Sequence, residues 1–473
     1  PGRGTVDTSG FDSTLTQNVT GDGGLTEASS GTLTVAGTKT YGGETTIGAG
    51  SIGLGKALAL QNSTVDIQVN GGLDINSLNA TIGGLSGTGN LNLGAQALSV
   101  GGNDDTTVYS GTLSGSGGSL SKNGTGALTL SGANTYSGGT TVNGGTLLLG
   151  SSSALGESSL TINAGATVDL DANTRRVHRD IAINDGTLNL TGTTLNASGS
   201  NSIGTRPGKN ITLSGGGALL DASGSALITL NGAGGAGTTD GANAGTLAVS
   251  GGAFNLGASA TLQALGGGGA VLASKGQSGS VSFSGGVSTI DGTINLSGRA
   301  GGTSRGAKGG NVTLSGTATA SLSGSLNLRG GNGGVDILDT AKDGGNGGKL
   351  LITGGGFTID DLAAIVDLTP GAGGVGSSST GSDGTAGSVN VSGGTLTLDA
   401  GLIRGSTAAA SADPINLVDA AINVTDTGLL RVTRNMSIVG GSVLLSGSTL
   451  NASGSHSIGT RPGKNITLSG GGA

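Results

Sequence analysis

Residues 120–150 read LSKNGTGALTLSGANTYSGGTTVNGGTLLLG. Apolar residues alternate there in three short runs: Leu128 and Leu130, then Val142, then Leu147 and Leu149. A period of two is that of a strand with one face buried, which turns Leu130 inward and Thr129 outward. Glycine-bearing turns separate the runs, and the runs are too short for helices. One such strand triplet cannot bury its own apolar face. It needs similar triplets stacked above and below, which is the logic of a solenoid.

The unit occurs once before, 95 positions upstream. Leu25, Gly31, Leu33, Thr34, Gly37, Thr40, Tyr41, Gly43, Thr45, Thr46, Gly50 and Ile52 align with Leu120, Gly126, Leu128, Thr129, Gly132, Thr135, Tyr136, Gly138, Thr140, Thr141, Gly145 and Leu147 without a gap. This pattern, with Ala154-Leu155-Gly156 and Ala166-Thr167-Val168-Asp169-Leu170 after it, resembles the passenger-associated repeat of Gram-negative autotransporters. The resemblance covers residues 24–57 and 113–170. It implies a right-handed parallel β-helix, export across the outer membrane to the cell surface, and a C-terminal outer-membrane barrel outside this stretch of chain.

Of 473 residues, 104 are Gly and only 5 are Pro; aromatics make up 1%, charged residues 10%, and Cys and Trp are absent. Disorder would need low hydrophobicity with high net charge. A glycine-rich tail has no use for a two-residue period. The net charge of −7 disfavours nucleic acid, whose phosphates need a basic surface. Without Cys there is no disulfide framework and no thiolate metal site. No apolar run approaches the ~20 residues of a membrane helix, and seven aromatics cannot make the girdles of a membrane barrel. No membrane insertion of this region is expected. Residues 360–368 could form one or two helical turns at most.

Residues 194–218 and 449–473 are copies of each other with one change, Asn201 to His456, at an offset of 255. At the same offset Arg176, Val177 and Arg179 match Arg431, Val432 and Arg434. The chain therefore reads as a slice of a larger repetitive protein, 1–473 being one continuous β-helix. Within each copy Arg-Pro-Gly-Lys signals a type II turn, and Pro370-Gly371 repeats that chemistry. Between the copies, residues 226–394 hold five loop-bearing coils. Each runs apolar-x-apolar, a glycine-rich loop, then apolar-x-apolar again, starting near Ile228, Leu262, Ile294, Leu326 and Val366. Starts 32–40 residues apart fall within solenoid periods. The loops, around residues 232–245, 298–310, 330–348 and 371–387, then leave one corner of successive coils and are expected to be dispensable for folding.

Motifs that could carry chemistry are sparse. Phosphate-binding glycine motifs need a following helix, and none follows. Residues 330–336 resemble a calcium nonapeptide, but Val335 stands where that motif wants Asp, and tandem copies are missing. Asp104-Asp105 and Asp360-Asp361 are adjacent pairs whose side chains point to opposite faces, so neither forms a carboxylate dyad. His178 and His456 do not correspond in the long repeat, where Thr433 and Asn201 replace them. The Arg175–Arg179 cluster offers either an anionic-glycan contact or a solvated turn. Thr pairs such as Thr32 with Thr34 and Thr395 with Thr397 are too scattered for an ice-binding ladder. Catalytic residues, metal ligands and cofactors are expected to be absent.

The expectation is an all-β chain: a right-handed parallel β-helix (β-solenoid) with Gly-rich loop insertions, about 18–20 coils and roughly 90 Å long at ~4.8 Å per coil. Its role is a structural, adhesive passenger or stalk, secreted or displayed on the Gram-negative cell surface. It would meet a host surface or glycan, or associate with itself. The other readings are a carbohydrate-active β-helix enzyme and a self-associating biofilm or autoaggregation protein.

Overall fold

The structure, a computed structural model, describes residues 4–37, 39–170, 175–199, 206–235, 240–268, 275–336, 338–406, 415–419, 421–425, 427–432, 436–439, 442–446, 448–451 and 466–469. Of the expectations above, those on Asn201, His456, Thr433 and Arg434, and most of the copy at 449–473, lie outside these residues. Contacts divide the chain into two compact units, Pro1–Leu195 and Asn196–Ala473. Among the described residues all secondary structure is strand, and every strand ladder is parallel, as in a parallel β-helix.

In the first unit each coil advances by about 20 residues, so that Leu120 faces Thr140 and Thr140 faces Leu160. On the next wall Leu128, Leu147, Val168 and Leu188 form one column. Ala127–Leu130 alternates half-buried and buried, with Leu130 inside and Thr129 outside. In the Leu128 column stacking keeps apolar side chains in contact along the core, and the two-residue pleat forces the other half of each strand outward.

The core is not wholly apolar. Tyr136 lies fully buried, its hydroxyl 2.6 Å from Thr140 Oγ1, which lies 3.1 Å from Ser158 Oγ on the next coil. Tyr41, Thr45 and Ser63 make the same chain of hydroxyls at 2.7 and 2.8 Å. The Thr-Tyr-x-Gly and Thr-Thr elements of the repeat are therefore one device: an aromatic that fills the core and a Thr that satisfies its hydroxyl. Burial pushes the Tyr136 hydroxyl up to about 12, against the opposing effect of its Thr140 and Ser158 bonds. Asn134, also buried, accepts from Leu113 N and donates to Ala154 O, tying three coils together.

Buried Lys122 donates to the carbonyls of Asn123, Gly124 and Gly144 at 2.6–3.2 Å. Outside, Asn143 donates to Asn123, Asn163 to Asn143 and Asn184 to Asn163. These form an amide ladder along one edge of four coils.

In the second unit Ile228, Leu262, Ile294, Leu326, Val366 and Ile403 pair in one column. Leu247, Val281, Val312, Leu350 and Val389 pair in another. The five starting points read from the sequence are thus consecutive rungs. On the third wall Phe254, Ser288, Ala320 and Phe357 stack in that order, all buried. Two small residues separate the two rings, so the column holds them without a bulge. Residues 361–364 form a turn, in which Asp361 accepts from Ala363 N, and not a helical segment.

Candidate binding surface

The glycine-rich segments of the second unit are built unlike any strand. Each begins after a strand of the Ile228 and Leu262 column and ends at a strand of the Leu247 and Val281 column. Six such arms follow one another, described at residues 197–199 and 206–210, 230–235 and 240–246, 264–268 and 275–279, 296–310, 328–336 and 338–349, and 368–387. In the fifth, Gly330 and Gly333 donate to Thr369 O and Ala372 O of the sixth at 2.9 and 2.7 Å. Gly331 and Gly334 donate to Ala307 O and Ser304 O of the fourth at 2.8 and 3.1 Å. On the way back, Gly344 and Gly347 donate forward to Ser382 O and Thr385 O, while Gly345 and Gly348 donate across their own arm to Gly331 O and Leu328 O.

Donors to a given neighbour therefore recur every third residue, whereas a pleated strand alternates every second. Three residues per turn with every hydrogen bond made to a neighbouring chain is the habit of a polyproline II-type helix, and here glycine lets such helices pack into layers. In the sixth arm the remaining amide of a triplet is met by a side chain of the fifth. Asn332, Asn346 and Asp343 accept from Ala372, Thr385 and Ser382, each at 3.0 Å. In the fifth arm the glycine amides that face a neighbouring arm are hydrogen-bonded, as a buried backbone requires.

Glycine is obligatory inside the layers. A Cβ on Gly331 would land on the carbonyl oxygen of Arg299, and one on Gly371 on that of Gly331. This overturns two readings of the sequence. Pro207-Gly208 and Pro370-Gly371 do not form type II turns, because neither glycine has the positive φ that such a turn needs. Both lie in layer arms; Lys209 N, for instance, donates to Ala197 O at 2.8 Å. Nor do the loops hang free of the coils. The signal for layers was present as glycines paired in every triplet, GGNGG at 330–334 and again at 344–348.

What the layers show to solvent is the third residue of each triplet and the arm tips. Arg299, Arg305, Lys308, Asn332, Ala372, Ser382 and Thr385 are exposed. Successive outward residues along an arm stand roughly 9 Å apart, three rises of ~3.1 Å. Arg305 pairs with Asp343 at 2.9 Å between layers. At one tip Lys342 pairs with Asp336 at 2.9 Å, and that bond with the amides of Thr340 and Leu338 holds the Asp336 carboxyl below its usual range. Leu338 and Val375, at neighbouring tips, are exposed apolar side chains. Below the arms Asp367 is buried, 2.7 Å from Arg404 and accepting from Thr369 N and Oγ1.

The other candidates fall apart from one another. Residues 330–336 are an arm and its tip, with Asp336 engaged by Lys342. Asp104 accepts from Thr125 N at 2.6 Å, which lowers its pKa, while Asp105 accepts from Thr64 and Asn103; both brace turns between coils. The Asp360 pKa is raised, by burial first and then by Asp291, Asp361 and Asp399. The Arg175–Arg179 run is not a surface cluster: Arg175 and Val177 are buried, Arg176 and Arg179 exposed, and His178 intermediate. Thr32, Thr34, Thr395 and Thr397 all sit on the outer, half-buried side of their strands. Among the described residues no three His, Asp or Glu groups gather as a metal site would need.

Parallel coils with a polar bridge in their core define a β-solenoid. Residues 25–52 and 120–149 match the family model of the passenger-associated transport repeat, so the chain carries two copies of the repeat found in autotransporter passenger domains. No curated protein and no solved structure matches the chain.

Proposed function

We propose that this chain is the structural passenger of an autotransporter-type protein, delivered to the cell surface, and that its glycine layers are the adhesive face. The observation that carries this reading is the layer stack itself. The described parts of its arms are joined by inter-arm hydrogen bonds and carry amides, hydroxyls and cations on their outer positions. Such a grid suits many weak polar contacts to a glycan or a host surface, where affinity comes from number and spacing. Insertions on one face of a solenoid are often its binding face.

The test uses the outward residues, which can change without touching the layers. Arg299→Ala, Lys308→Ala and Thr385→Ala combined should leave the melting temperature within a degree or two of the parent. Attachment of the purified chain to host cells or glycan-coated beads should fall several-fold. Undiminished attachment by a folded triple variant would move adhesion off the layers.

A further inference from the structure

One seam between layers is joined differently from the rest. Backbone bonds cross the seam of the fourth and fifth layers, as from Gly298 N to Arg329 O and from Gly306 N to Asp343 O, and likewise that of the fifth and sixth. Among the described residues none runs from arm to arm between the third and the fourth. Side chains bridge that seam instead. Lys275 Nζ donates to Gly301 O and to Ser304 Oγ, both at 2.6 Å. Ser278 Oγ lies 2.9 Å from Ser297 O and 3.1 Å from Lys308 O.

Two cations stand in this seam where flanking layers have glycine. Gly276, Ala307 and Gly345 each donate across their own arm, to Gly267 O, Arg299 O and Gly331 O. By that correspondence Lys275 takes the place of Gly306 and Gly344, and Arg299 the place of Gly267 and Gly331. Each reaches into the other's layer. Lys275 does so through the bonds just given. The Cδ and Nη1 of Arg299 lie 3.7 and 3.9 Å from where a Cβ on Gly268 would stand. Burial first, and Arg299 second, lower the Lys275 pKa, so the two charges repel each other. Other cations of the layers are neutralised, Arg305 by Asp343 and Lys342 by Asp336. Among the described residues no carboxylate pairs with Lys275, Arg299 or the exposed Lys308. The chain as a whole carries −7, so these uncompensated cations are a local excess.

We propose that the seam between the third and fourth layers is an anion site, where Lys275 and Arg299 hold a sulfate or carboxylate group of an acidic polysaccharide. The proposal rests on the adhesive reading of the layers and names the chemistry of what they grip. A guanidinium offers a planar fork that matches two oxygens of such a group, and an ammonium adds a point charge beside it. A lone small ion at half-exposed charges is held weakly, because water and salt screen it. A polysaccharide carries its charges in series. Lys308, further along the arm of Arg299, then meets a second charge on the same ligand, and linked contacts reinforce one another.

The test titrates the full chain calorimetrically with three probes: heparin oligosaccharides, which carry sulfate and carboxylate, hyaluronate oligosaccharides, which carry carboxylate alone, and neutral malto-oligosaccharides. The parent should bind an acidic probe and ignore the neutral one. Binding of hyaluronate assigns a carboxylate, and binding of heparin alone a sulfate. Arg299→Gln removes a charge whose side chain makes no hydrogen bond within the fold. It should keep the parent's melting temperature and weaken binding about ten-fold. Adding Lys275→Gly, the residue that flanking layers use there, should weaken binding further. Lys349→Gln, which removes an exposed cation of the same unit outside the seam, should bind as the parent does. A parent that binds neither acidic probe overturns the proposal, and so does equal loss in Arg299→Gln and Lys349→Gln. If that parent still attaches to host cells, the adhesive reading of the layers stands without this site.

Discussion

At the scale of the residue, the core is specified as much by its few polar groups as by its leucines. Tyr136→Phe keeps the ring and removes the bond to Thr140, leaving Thr140 its partner Ser158. It should cost about 1 kcal/mol of unfolding free energy, read from the denaturant midpoint. Leu130→Asp buries an uncompensated charge and should cost several kcal/mol, whereas Thr129→Asp, one residue along, should stay near 0.5 kcal/mol. Asp360 makes stability depend on pH. Its folded pKa is raised, so in the range above 3.8 the folded state holds a proton that the unfolded state has lost, and stability falls as pH rises through that range. Asp360→Asn removes the effect. The variant should melt higher than the parent at pH 7, and the gap should close as the pH is lowered toward 4; a gap that widens on acidification would contradict the assignment. The polar bridge escaped the sequence reading because Thr140 and Ser158 are indistinguishable from outward-facing strand residues until the coil brings them under Tyr136.

The scale of the element is where sequence and structure agree most and differ most. The rungs at Ile228, Leu262, Ile294, Leu326 and Val366 could be read directly, because inward positions must be apolar and a parallel register repeats them. The arms could not be read the same way. A search for periods of two or 3.6 sees only glycine in 330–348, and a helix of three residues per turn leaves its mark in hydrogen-bond partners on other arms, not in apolar residues. Arg-Pro-Gly-Lys at 206–209 has turn chemistry locally, yet its glycine is held by the neighbouring arm. Gly331→Ala should therefore cost about 2–3 kcal/mol, as overpacking does, although the residue lies far from the apolar core. Trypsin should cut the parent slowly at Arg305 and Lys342 and the variant much faster. Replacing residues 330–348 by a short Gly-Asn turn should lower the melting temperature well beyond what loop-closure entropy allows, on the order of 0.6 kcal/mol per doubling of length, since it strands donors of the fourth layer.

At the scale of the whole molecule the division of labour follows the two compact units. Both transport repeats fall within residues 1–195, and the glycine layers fall within residues 196–473. The first unit has its own columns and its own buried hydroxyl bridges. Residues 1–195 alone should give a far-UV spectrum of sheet and a cooperative melt. A dominant coil signal would mean that these repeats need the rest of the chain to fold.

The amide ladder has a consequence for chemical ageing. Asn123-Gly124 and Asn143-Gly144 are Asn-Gly pairs, the sequence most prone to lose ammonia when the glycine nitrogen attacks the side-chain carbonyl. In the ladder the Asn143 carbonyl is occupied by Asn163 and its amide by Asn123, so the ring-closing rotation is blocked. A passenger that lingers unfolded would accumulate succinimide and isoaspartate at these two sites, while the folded one would not. The deamidated fraction at residue 143, read by peptide mass, would then date how long each molecule spent without its fold.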